Sequence, residues 1–319
     1  MTIIDTNTLL FHLDHDSDLG NNLAVRLGCG LGRYELRKFG DGEYKVRALD
    51  AVAGKSIYII HSLSTDTSAT VNDKLVILLL FIGALRDSGA VSITLMAPYL
   101  CYMRKDSRTR FQDPLSVRYV AQLFEAAGLD HLVAMDVHNV AALENAFRCR
   151  VSHISAQALL ADYFTPLLQQ VDVAVASPDV GGIKRAESFC NLIEARLGKP
   201  VFMAYMPKYR DQDQLTSGPI TGDVAGKVVL ILDDLIASGS TIAHAAEAYC
   251  AAGAKSIYVA ATHGVFSEGA VSQLASPVIT RVVTTNSVFS QFRWVLSRCD
   301  TVDVSPLLAS FIEHLESNR

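Results

Sequence analysis

A chain of 319 residues, half of them apolar, is long enough for two domains of about 150 residues with a core each. Its 28 basic and 33 acidic residues leave a net charge of −5, which argues against a general nucleic-acid or membrane-surface role. Residues 1–18 hold four Asp and no Lys or Arg, so no secretory leader is expected, and six cysteines without a C-x-x-C pair suit a reducing cytoplasm.

Near the start, Asp14-His15-Asp16 reads as a solvated loop. Gly28-x-Gly30-x-Gly32 has no strand before it and so lacks the context of a dinucleotide fingerprint. Phe39-Gly40-Asp41-Gly42-Glu43 is a hairpin turn whose aromatic face and carboxylates could stack on and hydrogen-bond an adenine, or simply a turn. Apolar runs then follow at 57–61, 93–97, 131–136, 171–176, 201–206, 228–232, 257–262 and 278–284, with helical stretches between them. That alternation predicts an α/β chain of two similar domains, each a mainly parallel sheet flanked by helices. Ala53-Gly54-Lys55 is echoed by Ala225-Gly226-Lys227, and residues 88–93 by 252–257, as expected of an internal repeat. The expected division is 1–148 and 149–305, with an amphipathic helix at 306–319 packing back on the first domain. The longest apolar run, 75–85, is bracketed by Lys74 and Arg86 and is too short to cross a bilayer.

Polar groups collect where these strands should end, which is where open α/β sheets bind ligands. After 93–97 come two tyrosines and the basic pair Arg104 and Lys105, suited to a polyphosphate or merely solvated. The run 131–136 leads to His138, and 171–176 leads to Ser177-Pro178-Asp179-Val180-Gly181-Gly182, with Lys184 and Arg185 opening a helix. A histidine and a carboxylate with open positions suit magnesium carried in with phosphates; alternatively Asp179 only caps its turn. Lys208 and Arg210 open a stretch expected to be a loop through Gly222, a cationic lid or an inert connection. Finally, 228–232 runs into Asp233 and Asp234, the loop Ala237-Ser238-Gly239-Ser240-Thr241 and a helix. A loop of that kind at a helix start cradles an anion. Paired acids would repel phosphate but can accept from two vicinal hydroxyls, so a sugar phosphate fits; a plain βα turn with capping residues is the alternative.

Taken together, FGDGE, VND, PYLCYMRKD, MDVHN, SPDVGG, PKYR, LILDDLIASGST, ATHGVFS and VVTTNS, in that order, resemble the ribose-phosphate pyrophosphokinases, which share the phosphoribosyltransferase-type fold. The resemblance implies magnesium-dependent transfer of the pyrophosphoryl group of ATP to the 1-hydroxyl of ribose 5-phosphate, with release of AMP, by a cytoplasmic enzyme without nucleic-acid or membrane partners. It also implies roles. Phe39, Asp41 and Glu43 match an adenine turn that reaches in from a neighbouring subunit, hence a homo-oligomer. Arg104, with Lys105 and His138, falls to the ATP site, and His138 and Asp179 match Mg2+ positions. Asp233 and Asp234 match the ribose-hydroxyl pair, residues Ser238, Gly239, Ser240 and Thr241 the 5-phosphate loop, and Lys208 and Arg210 the catalytic cations. Lys105 stands where the family usually has Gln, and Ala237 replaces a common acid. Ser107 to Gln112 and the C-terminal residues depart from segments that serve phosphate and ADP control, so weak regulation is expected. A phosphoribosyltransferase or a catalytically silent regulatory subunit remain the rival readings.

Overall fold

The computed structural model describes the backbone of residues 7–206, 208–211, 214–217, 219–294 and 296–318, and the side chains of these outside 208–217 and 293–294. The chain divides into two compact units: Met1–Ser155 with Ser287–Phe289 and Asp303–Arg319, and Ala156–Asn286 with Ser290–Val302.

Unit 1 runs β1 (Thr8–His12), α1 (Leu19–Leu27), β2 (Tyr34–Lys38), β3 (Tyr44–Ala48), β4 (Ser56–Ile60), α2 (Val71–Asp87), β5 (Ser92–Ala97), α3 (Ser116–Ala127), β6 (His131–Met135), α4 (Val140–Ala146) and β7 (Arg150–Ile154). A parallel five-stranded sheet has the order β1-β4-β5-β6-β7, while β2 and β3 form a separate antiparallel hairpin. The inner strands β4, β5 and β6 are almost wholly buried, as their unbroken apolar runs require. β7 pairs with β6 from His131↔Arg150 to Met135↔Ile154, so the expected break near 148 moves to the junction of Ser155 and Ala156. Gly28, with φ 65°, is the left-handed C-cap of α1, which accounts for the start of the glycine triplet without any nucleotide.

Unit 2 runs α5 (Gln157–Leu168), β8 (Val173–Ser177), α6 (Ile183–Leu197), β9 (Phe202–Tyr205), β10 (Lys208–Asp211), β11 (Gln214–Ser217), β12 (Val228–Ile236), α7 (Ser240–Ala251), β13 (Ser256–Gly264), α8 (Ala270–Leu274), β14 (Ile279–Thr285) and β15 (Cys299–Val302). Its six-stranded parallel sheet has the order β15-β14-β13-β12-β8-β9, with β10 and β11 as a hairpin. A last helix, α9 (Ser305–Ser317), belongs to unit 1, where Arg26 Nε donates to Ser305 Oγ at 2.8 Å and the Tyr58 hydroxyl to Glu316 Oε1 at 2.6 Å.

The strands β8-β12-β13-β14-β15 repeat the order β1-β4-β5-β6-β7, each time with an antiparallel hairpin between the first and second strand. Unit 2 adds β9 outside β8. The sheet therefore grows in both directions from β8, and a switch point opens between β8 and β12, the expected place for a ligand. Sheet growth in unit 1 goes one way only.

In unit 1 the corresponding strand ends are filled by the chain itself. Asp14, just beyond β1, is buried, not the solvated residue expected. Its Oδ1 lies 3.0 Å from His61 Nδ1 and 2.8 Å from Lys74 Nζ, and Lys74 Nζ is 2.6 Å from Asp66 Oδ2. Burial acts to raise the Asp14 carboxyl, but His61, by charge and hydrogen bond, and Lys74 outweigh it and hold the group well below the usual carboxylate range. A carboxyl depressed in this way contributes stability above its unfolded pKa and loses that contribution as pH falls through the folded value. Lys74→Met, which strands two buried carboxylates, is expected to lower unfolding free energy by about 3–5 kcal/mol at neutral pH. In urea titrations the gap to the unsubstituted protein should narrow below about pH 4, as the acids protonate.

Candidate active site

The second-unit site is built on β12. Val228 to Leu232 is buried apolar strand, but the strand does not end at the acids; it continues to Ile236. The reason is its neighbour: β13 runs alongside to Gly264, pairing Asp233↔Ala261, Leu235↔His263 and Ile236↔Gly264. The ladder with β8 stops at Ile231↔Ala176. Asp233 and Asp234 therefore sit on rigid strand with the β8 flank open.

Asp234 is buried, and the Asp233 side chain is only 20 % exposed. The Asp234 amide donates to Asp233 Oδ1 at 2.9 Å. Arg185, on the first turn of α6, places Nη1 3.3 Å from Asp233 Oδ1 and 3.2 Å from Asp234 Oδ1. Burial, then the hydrogen bond and charge of Asp234, push the Asp233 carboxyl up to about 8, with Arg185 acting in the opposite sense. In the ligand-free chain the pair therefore resists carrying two charges.

Beyond the acids, the Phe266 amide donates to Ile236 O and the Ser267 amide to Ala237 O, both at 3.0 Å, pinning the start of the loop. Gly239 is the N-cap of α7 at φ 76°, and a Cβ there would meet Leu274 Cγ of α8 at 3.0 Å. Only glycine fits such a turn comfortably. Ser238 Oγ and Ser240 Oγ are 2.9 Å apart on either side of it, and Thr241 follows in the first turn. The amides and dipole at the start of α7 favour an anion here.

Asp179 lies just past β8. Its Oδ1 accepts from the Gly182 amide at 3.3 Å and its carbonyl from Ser177 Oγ at 2.6 Å, so the capping role weighed from sequence is present. The buried Tyr249 hydroxyl of α7 donates to Ser177 O at 2.8 Å, fixing the turn against the helix that follows residues 238 and 239. Lys208 and Arg210 lie on β10, in a hairpin where a loop was expected; their side chains, with Pro207 and Gly218, lie outside the described residues.

In unit 1 the turn Phe39 to Glu43 closes β2–β3, with the Phe39 amide donating to Glu43 O at 2.8 Å and Gly42 at φ 98°. Phe39 is 38 % exposed, and the Arg37 guanidinium lies 5.0 Å from its ring centroid. Asp41 Oδ1 accepts from the Glu43 amide at 3.2 Å. After β5, Arg104 is exposed, whereas Lys105 Nζ is engaged by Asp113 Oδ2 at 2.6 Å and Thr109 Oγ1 at 2.9 Å. After β6, His138 is exposed next to Asn139, which caps α4 and donates to Asp106 Oδ2 at 2.7 Å. Asp106 and Asn139 thus tie the Arg104 loop to the His138 loop.

Arg185, Asp106 and Asn139 were not singled out as site residues from the sequence. Non-glycine residues at positive φ mark the same ends: Tyr102 at 61°, Asp136 at 38° and Phe266 at 44°, following β5, β6 and β13. Such strain collects at functional sites, and no sequence pattern announces it. Among the described residues, no three His, Cys, Asp or Glu side chains gather as a metal cage. Single oxygen and nitrogen ligands of this sort fit a magnesium that keeps waters and substrate phosphates, not a closed protein site.

Residues 8–128 match the N-terminal domain of ribose phosphate pyrophosphokinase, and residues 203–319 the phosphoribosyl synthetase-associated domain. Ribose-phosphate pyrophosphokinase 1 of Streptococcus pyogenes serotype M3 is 31 % identical over 314 residues, covering 97 % of this chain and 95 % of its own. The chain belongs to the ribose-phosphate pyrophosphokinase family. The Fusobacterium nucleatum member is 30 % identical over 315 residues, covering 98 % of this chain and 96 % of that one. The crystal structure of phosphoribosylpyrophosphate synthetase from Mycobacterium smegmatis superposes with a TM-score of 0.88 at 31 % identity, covering 98 % of this chain and all of the other. Membership thus spans both units, and no helix among the described residues is long and apolar enough to cross a membrane.

A carboxyl protonated in the folded chain but ionised in the unfolded one costs stability as pH rises between its two pKa values. Asp233→Asn is therefore expected to match the unsubstituted protein in thermal stability below about pH 4 and to exceed it by several degrees near about pH 8. Differential scanning calorimetry without ligand checks this.

Proposed function

We propose that this chain transfers the pyrophosphoryl group of ATP to the 1-hydroxyl of ribose 5-phosphate, producing phosphoribosyl pyrophosphate and AMP. The observation that carries this is the pair Asp233 and Asp234, followed by the Ser238–Thr241 loop at the β8/β12 switch point, in a chain that matches pyrophosphokinases over nearly its whole length. The acids accept from the vicinal ribose hydroxyls, and the backbone amides and hydroxyls of residues 238–241 hold the 5-phosphate. Arg104 holds the triphosphate. Lys105, committed to Asp113, shapes that loop and assists through its charge. Phe39 stacks on the adenine while Asp41 and Glu43 accept from its amino group, donated across a subunit interface in a homo-oligomer. Lys208 and Arg210 supply positive charge to the transferring group, since phosphoryl transfer is catalysed largely by positioning and charge.

His138 and Asp179 are the side chains that would hold Mg2+. Bound magnesium would neutralise phosphate oxygens as charge builds on them. A cytoplasmic location fits the six free cysteines.

The test is ribose 5-phosphate-dependent release of AMP from ATP. A phosphoribosyltransferase would instead consume phosphoribosyl pyrophosphate with a nucleobase and release pyrophosphate, with no need of ATP; a silent subunit would do neither. Lys208→Ala is expected to lower kcat by about 100-fold or more while changing KM for ribose 5-phosphate less than threefold. Near-normal kcat in that variant refutes the role.

A further inference from the structure

Two neighbouring carboxylates on one strand do not make a diol clamp by themselves. Asp233 and Asp234 are poorly solvated, and like charges held that close expel one charge by taking up a proton. An acceptor pair has to be assembled. The geometry shows what assembles it: Nη1 of Arg185 reaches Oδ1 of both acids, at 3.3 and 3.2 Å, from a side chain that is itself only 18 % exposed.

The chain around Arg185 is shaped for that reach. The turn after β8 launches α6 so that Arg185 falls on its first turn. Gly182 makes the turn tight: a Cβ there would lie 2.6 Å from Ser177 Oγ and 3.7 Å from Arg185 Nη1. The α6 N-terminus adds positive field at the same place.

We infer that Arg185 is the positioning residue of the ribose subsite: by bridging Asp233 and Asp234 it sets the two carboxylates as a paired acceptor for the vicinal hydroxyls, and so sets the preference for ribose 5-phosphate over 2-deoxyribose 5-phosphate. This rests on the pyrophosphokinase reading above. Sites built to hydrogen-bond a hydroxyl reject the analogue that lacks it, because the polar group is left unpaired. A clamp that loses its alignment loses that discrimination along with affinity.

The experiment uses the full chain with saturating MgATP. KM for ribose 5-phosphate is compared with Ki for 2-deoxyribose 5-phosphate as a competitor, in the unsubstituted protein, Arg185→Met and Arg185→Lys. The unsubstituted protein should favour the ribose form by about tenfold or more. Arg185→Met should raise KM for ribose 5-phosphate by about tenfold and bring the two constants within about threefold of each other, with KM for ATP unchanged. Arg185→Lys, which keeps the charge but not the planar head, should recover part of the discrimination. A role confined to folding would lower the active fraction and kcat but leave the ratio of the two constants intact. If Arg185→Met, or Arg185→Lys should the former fail to fold, keeps the full ratio, the inference is overturned. If the unsubstituted protein releases no AMP with ribose 5-phosphate, the underlying reading fails instead.

Discussion

Two carboxylates held side by side out of water repel each other, and the second unit is arranged around holding that repulsion in check. Asp233 and Asp234 stay in place because β13 continues the ladder past them, because β8 does not, and because one guanidinium bridges both. Each requirement falls on a different segment. The strand extension places the acids rigidly, the glycine turn after β8 brings α6 close, and Tyr249 ties that turn to α7. A charge pair costly to bury is tolerable only with such compensation, and sites of this kind are where folds accept local instability.

The same scaffold is used twice, to opposite ends. In the second unit the strand terminus keeps two acids bridged by one guanidinium, and a loop whose Gly239 a side chain cannot replace. In the first, His61 and Ser62 stand where the repeat aligns Asp233 and Asp234, and Lys74 from α2 is locked between Asp14 and Asp66. Beyond β1 and β4 these acids pair with Lys74, and the loops that carry Arg104 and His138 follow β5 and β6. The reversal of strand order that opens a crevice beside β8 has no counterpart beside β1.

Much of this was legible in the residues. The eight apolar runs all became strands; seven are inner strands, which must be apolar throughout when buried on both faces, and the eighth, β9, is an edge strand whose residues are nonetheless apolar or aromatic. The strands that escaped notice include β7 and β15, at the edges of their sheets. Arg150 to Ile154 and Cys299 to Val302 carry polar and charged residues because one side of an edge strand meets solvent, so they show no apolar run. The buried ion cluster at Asp14 was misread for a related reason: an acidic tripeptide looks solvated unless its partners, forty-odd to sixty residues on, are known to converge. Asp233, Asp234 and the loop after them were visible because their chemistry is written contiguously. Arg185 was visible only as a basic residue opening a helix, because its partners lie on another strand. Lys105 read as a free cation and is instead held by Asp113, a pairing within one loop that spacing does not reveal.

Unit 1 is interrupted by unit 2 and completed by α9, whose Glu316 accepts from Tyr58 and Thr8 at the foot of the first sheet. Order of synthesis and order of completion therefore differ. A ribosome delivers every strand of the second unit before it delivers the helix that closes the first. The earlier-made half must therefore keep Thr8 and Tyr58 waiting for Glu316 throughout that interval.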